Sequence, residues 1–168
     1  FPGNIDRIEY RPIANAATRV AALLSGEVDF VLDPPLQDLK RIESADGLKV
    51  ITVAQIRSIF FGMDQGVAEL RTSDVKGKNP FADVRVREAM NLAMDKVAIQ
   101  RVVMEGLSFP TGMITPPGVF GNTPENDKPL PFDPEKAKAL LADAGYPNGF
   151  TVQLDCPNNR YNNDEKIC

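Results

Sequence analysis

Two cysteines, Cys156 and Cys168, enclose the polar run from Pro157 to Ile167, the segment whose residue types most invite chemistry. A disulfide would close a loop of about a dozen residues and contribute about 3 kcal/mol in the chain-entropy treatment. Two unrelated thiols remain the other reading, because pairing cannot be deduced from spacing. A tetrahedral zinc site is disfavoured, since the sequence has no histidine and carboxylates would have to complete the ligand set. Inside the run, Arg160 follows a strand-like segment and sits among Asn158, Asn159, Tyr161, Asn162 and Asn163. That is the make-up of a site that grips a carboxylate through two parallel hydrogen bonds. The bland alternative is a solvated loop arginine. Arg57, at the head of the apolar run Ile59-Phe60-Phe61, carries the same two readings with a weaker claim.

The absence of histidine removes the usual general base, so Ser-His-Asp, Cys-His and HExxH arrangements are excluded within the 168 residues. Carboxylates or lysine would be left to do any catalysis. The obvious ones, Asp83, Asp95 and Asp133, all stand at expected helix starts, where capping accounts for them. Walker and nucleophile-elbow patterns are absent. With 19 Lys+Arg against 23 Asp+Glu and a net charge of -4, no basic run exceeds Lys40-Arg41, which argues against a phosphate-tracking surface. Hydrophobic residues at 43% and charged residues at 25% describe an ordinary folded chain. Its length suits one core or parts of two. No stretch nears the roughly 18 apolar residues of a membrane span, and Phe1-Pro2-Gly3-Asn4 has no leader character. The terminal Asn162 to Cys168 reads as the start of a helix that does not run on. The expectation is an excised piece, whose missing targeting signals say nothing of compartment.

The elements that must position these residues alternate. Ile8 to Ile13 reads as a strand; a helix follows with Asn15 as cap, Ala17, Val20, Ala21 and Leu24 on one face, and Gly26 at its end. Val28 to Leu32 and Leu48 to Val53 read as strands around a helix opened by Asp33-Pro34 and striped by Leu36, Leu39 and Ile42. Ile56 to Met63 is apolar nearly throughout, as in a strand covered on both faces. After a loop to Lys78, a helix from Asp83 carries Val86, Ala89, Met90, Ala93 and Met94. Asp95 caps a second, through Ile99, Val102 and Val103 to Gly106. Gly106 to Phe132 holds six prolines and reads as a strap. Asp133-Pro134 opens another helix, with Ala137, Leu140, Leu141 and Ala144 inward and Gly145 closing it; Phe150 to Leu154 returns as a strand. The pattern predicts an α/β layer.

Three segments taken in order resemble the family 5 extracellular solute-binding proteins, the peptide, dipeptide and nickel receptors of ABC importers. The first is Ile8 to Ile13 with Thr18-Arg19-Val20-Ala21-Ala22-Leu23-Leu24-Ser25-Gly26-Glu27-Val28-Asp29. The second is Asn79-Pro80-Phe81-Ala82-Asp83-Val84-Arg85-Val86-Arg87-Glu88-Ala89-Met90, with Ala93-Met94-Asp95-Lys96 and the later Gly106 and Pro116-Pro117. The third is Phe132-Asp133-Pro134-Glu135-Lys136-Ala137-Lys138-Ala139-Leu140-Leu141 with Ala144-Gly145-Tyr146.

The resemblance implies a periplasmic binding protein-like α/β fold of the class with an extra domain, of which this chain is an internal fragment. Residues 1–54 would end lobe I and residues 55–168 would begin lobe II, with Val53 to Arg57 in the hinge. It further implies a non-enzymatic, periplasmic or extracellular membrane-associated protein that needs no cofactor. Such a receptor closes on a peptide or small organic solute and docks on the transmembrane permease subunits. A nickel or metal-chelate receptor is the alternative within the family, and a carboxylate-based hydrolase the alternative outside it. Arg160 falls where dipeptide receptors of the family place an arginine that pairs with the ligand carboxylate, in a loop similar to Asn158-Asn159-Arg160-Tyr161-Asn162. Tyr161 replaces the proline that commonly follows. The acidic partner of the peptide amino group would lie beyond Cys168. The extracytoplasmic setting implied by the resemblance favours the disulfide reading of Cys156 and Cys168.

Overall fold

The computed structural model describes residues 3–168; Phe1 and Pro2, which open the tetrapeptide read for a leader, lie outside the described residues. The chain divides into two units. One runs up to Thr52 and includes Asn159–Asn162, and the other comprises Val53–Asn158 with Asn163–Cys168.

In the first unit, α1 (Ala16–Leu24) starts where the Asn15 side chain accepts a hydrogen bond from the Thr18 amide at 3.0 Å. It ends at Gly26, whose φ of +76° suits a residue without Cβ. Its buried residues are Val20, Ala22 and Leu23. The inward stripe is thus rotated from the one expected: Ala17 and Ala21 are exposed, because the larger Val20 and Leu23 set which face turns inward. The second helix also starts later than expected. Asp33 takes a left-handed φ of +48°, and a 3₁₀ turn at Leu36–Asp38 leads into α2 (Leu39–Glu43). The expected stripe survives, with Leu36 and Ile42 buried. Val20, Leu23 and Ile42 form the core of this unit, flanked by Leu24, Val28, Val31, Leu48 and Val50.

The second unit is built on α3 (Val84–Leu92) and α5 (Pro134–Asp143). Asp83 caps α3, accepting from the Arg85 amide at 2.9 Å, and Asp133 caps α5, accepting from the Lys136 amide at 2.9 Å. Ala89 and Leu92 on one helix meet Ala137 on the other, with Leu140 and Leu141 beside them; two small residues allow the backbones to approach. Leu92 was outside the expected stripe, whereas Ala93, inside it, is exposed at the helix end. Beside this pair, Leu70, Phe81, Val86 and Tyr146 form a larger core with Met63, Met90, Phe150 and Val152 against it. Phe150 packs on Tyr146 at 5.0 Å and edge-on to Phe81 at 6.2 Å between centroids. Asp95 caps the short α4 (Lys96–Ala98), which widens into a π turn at Ile99–Val103. None of Ile99, Val102 and Val103 is buried, and Val102 is exposed.

Buried Asn79 pins the loop before α3. Its amide nitrogen donates to the carbonyls of Asp64 and Val67, each at 2.9 Å, and its oxygen caps the Phe81 amide. The proline-rich strap is knotted in a comparable way by Asp127, which accepts from Thr111, the Gly112 amide and Asn122. Those donors hold its carboxyl below the usual range, the Asn122 bond most of all. Gly112 can only be glycine here, since a Cβ would run into the Lys128 backbone carbonyl.

The expected strands at 8–13, 28–32, 48–53 and 56–63 are not formed among the described residues. The strand expected at 150–154 is reduced to one antiparallel bridge, Val152 opposite Ser73. These segments have the apolar alternation of strands, but a ladder requires a second backbone within about 5 Å. Where one is supplied, at Thr72–Asp74, the pairing starts: Gln153 N donates to Thr72 O and Asp74 N to Thr151 O. Phe30, Leu32, Ile51 and Val53 stay exposed. No helix among the described residues is long and apolar enough to cross a membrane.

The Asp83 cap has a measurable consequence. The Arg85 guanidinium donates to both oxygens of Asp83 and reaches the Asp143 carbonyl at the end of α5. The Arg85 side-chain bond, then its backbone bond, hold the Asp83 carboxyl down at about 2 against an ordinary 3.8. A depressed folded-state pKa means this contribution is full above about pH 4 and is lost as pH falls toward 2. Asp83→Asn, which keeps a capping oxygen, should therefore flatten the acid limb of the urea midpoint against pH; an unchanged limb would deny Asp83 that part.

Candidate functional site

Cys156 and Cys168 are joined in a disulfide with Cα atoms 6.4 Å apart, closing the loop that carries Arg160. Both ends of that loop belong to the second unit. At its far side the chain turns through Asn163, whose φ of +58° is one that asparagine tolerates better than most residues. The helix start expected over Asn162 to Cys168 forms as the short α6 (Asp164–Ile167), with Asn163 at its cap position, but the Asn163 side chain makes no cap bond. It donates instead to the Val103 carbonyl at 2.7 Å. Val103 ends the π turn, and the widened turn offers that carbonyl to the loop. Asp164, next in the chain, is buried and accepts from the Glu165 amide.

Arg160 and Tyr161 fall in the first unit. There the Asn162 side-chain nitrogen donates to the Pro34 carbonyl at 3.4 Å. The Arg160 side chain is exposed and lies against its neighbour: Nε donates to the Tyr161 hydroxyl at 2.8 Å, and Cζ stands 5.4 Å from the ring centroid. Tyr161 itself is half-buried. The structure thus brings together two of the residues singled out in the sequence, a guanidinium and an aromatic hydroxyl. Asn158 and Arg57, the other two, are exposed and lie in the second unit, Arg57 on the segment 56–63, which forms no strand.

An exposed guanidinium in a cross-linked loop can present paired N–H donors to a carboxylate. Asp83, Asp95 and Asp133, the carboxylates available for acid–base work, are each engaged with a backbone amide at a helix start. Sequence reasoning missed Asn163 and Val103 as supports of the loop. The one available signal was the Asn162-Asn163-Asp164 run, whose residue types favour turns; nothing in the sequence marked the π turn.

This path of chain is found in a periplasmic binding protein. The ABC transporter-associated periplasmic binding protein DppA from Helicobacter pylori, solved in complex with the peptide STSA, superposes with a TM-score of 0.68 at 30% identity, over 83% of this chain and 25% of its own. The family model for bacterial extracellular solute-binding proteins, family 5 Middle, matches residues 2–168. The glutathione-binding protein GsiB of Escherichia coli (strain K12) and that of Shigella flexneri serotype 5b (strain 8401) are each 31% identical over 150 residues, 89% of this chain. The chain belongs to family 5 of the bacterial extracellular solute-binding proteins. It spans 27% of the length of these curated relatives.

Proposed function

We propose that the chain is the middle part of the substrate-binding component of an ABC importer, working in the periplasm. It takes a peptide or similar small organic solute between two lobes and hands it unchanged to the membrane permease. Residues 1–54 end lobe I and residues 55–168 begin lobe II. The observation that carries this reading is the family match along residues 2–168, joined to a 30%-identical neighbour whose structure holds a peptide. Glutathione and peptides share free carboxylates, the group that an arginine recognises with two parallel bonds.

On this reading Arg160 receives the ligand carboxylate, Asn158 and Tyr161 line the same loop, and Arg57 lies near the hinge. The disulfide keeps the loop from having to be ordered when ligand arrives, which lowers the cost of binding. The unpaired apolar segments are strands of an α/β fold whose sheets the rest of the receptor completes. Exposed Phe30, Leu32 and Ile51, close in sequence to Val28, Val31, Leu48 and Val50 that flank the first core, fit strands that further parts of the receptor cover.

Incubating the full-length receptor with a pool of short peptides separates this reading from a hydrolase. Retention of intact peptide is expected. Release of cleaved products in proportion to receptor would overturn it.

A further inference from the structure

We propose that Tyr161 is a positioning residue, which holds the Arg160 guanidinium in the orientation that receives a ligand carboxylate. The inference rests on the reading of Arg160 as the carboxylate partner and goes beyond it by assigning Tyr161 a role through Arg160 rather than on the ligand.

An arginine side chain has four rotatable bonds, and every one must be fixed before both N–H groups can meet two carboxylate oxygens. Two observed contacts restrict that freedom. The Nε–H bond to the Tyr161 hydroxyl, at 2.8 Å, fixes where the inner edge of the guanidinium points. The ring, 5.4 Å from Cζ, lies within the range at which an aromatic face attracts a cation. Tyr161 is the less exposed of the two and so serves as the anchor, with the guanidinium outermost. Because the residues are adjacent in the chain, the contact needs no other element to form. It is therefore available before any ligand arrives. The segment that carries both residues is also closed covalently by the Cys156–Cys168 disulfide. Ordering a long side chain in advance lowers the cost of binding, by the equivalent of about two- to tenfold in affinity for one such group.

The test uses the full-length receptor, the best-retained peptide from a pool of di- to tetrapeptides with free C-termini, and the same peptide as its C-terminal amide. Dissociation constants come from calorimetry. Tyr161→Phe keeps the ring and removes the acceptor; it is expected to weaken the free-carboxylate peptide by about two- to tenfold while leaving the amide and the melting temperature unchanged. Tyr161→Leu, which loses both contacts, should weaken the free peptide further. In an Arg160→Ala background, Tyr161→Phe should have no additional effect. Equal losses for the free and amidated peptides, or an effect that persists without Arg160, would overturn the positioning role and leave Tyr161 as an ordinary contact. If Arg160→Ala leaves the free peptide's affinity unchanged, or the receptor retains no peptide, the carboxylate reading itself fails and the inference falls with it.

Discussion

Arg160→Ala in the full-length receptor is expected to weaken binding of a carboxylate-bearing peptide by about 2 to 5 kcal/mol, and Arg57→Ala by less than about 1 kcal/mol. The difference comes from surroundings rather than residue type. Arg160 lies in a loop closed by a disulfide, with its guanidinium already against Tyr161. Arg57 is exposed on a segment without strand pairing. Closure of two lobes would remove water from the Arg160–carboxylate pair, strengthening its charge-assisted bonds. Truncation would then leave the ligand carboxylate desolvated without a partner. Titration of both variants with one peptide checks this, and equal small losses would return Arg160 to the status of a surface loop arginine.

The second large effect is on stability. Leu92→Ala should cost about 2 to 5 kcal/mol, the range for truncating a buried leucine. Leu92 is 1% exposed, and its neighbours Ala89 and Ala137 are too small to fill the space it would vacate. Leu154, 52% exposed, offers the comparison: Leu154→Ala should change stability by about 0.5 kcal/mol or less. Urea unfolding of the full-length receptor reads both. A Leu92→Ala midpoint no lower than that of Leu154→Ala would mean that α3 and α5 do not form this interface.

The helices were largely legible because their signals are local. Asn15, Asp83, Asp95 and Asp133 each cap the helix that their position announced, and Gly26 and Gly145 adopt the positive φ expected past a helix end. Which face turned inward was less legible: Leu92 was overlooked and Ala17 and Ala21 misplaced, because alanine is compatible with either side of a helix. Strand expectations met a different limit. Residues 28–32 and 48–53 carry the apolar character of strands, but hydrogen bonding in a sheet is supplied by another segment, which a local pattern cannot provide. The candidate site shows the same division. Arg160 stood out by its residue type and setting, whereas its contact with Tyr161 depends on side-chain placement, and the Asn163 bond to Val103 depends on a π turn 60 residues away in sequence.

The central claim is that this chain is part of a receptor that binds a carboxylate-bearing peptide or small solute and releases it unaltered. Mass spectrometry of whatever is released on denaturing the full-length receptor, purified without added solute, tests that most directly. The expected result is an intact peptide or small carboxylate-bearing solute in stoichiometric amount, lost from the Arg160→Ala variant. Recovery of cleaved fragments, of a metal chelate with no free carboxylate, or of the same ligand in equal amount from Arg160→Ala would contradict it.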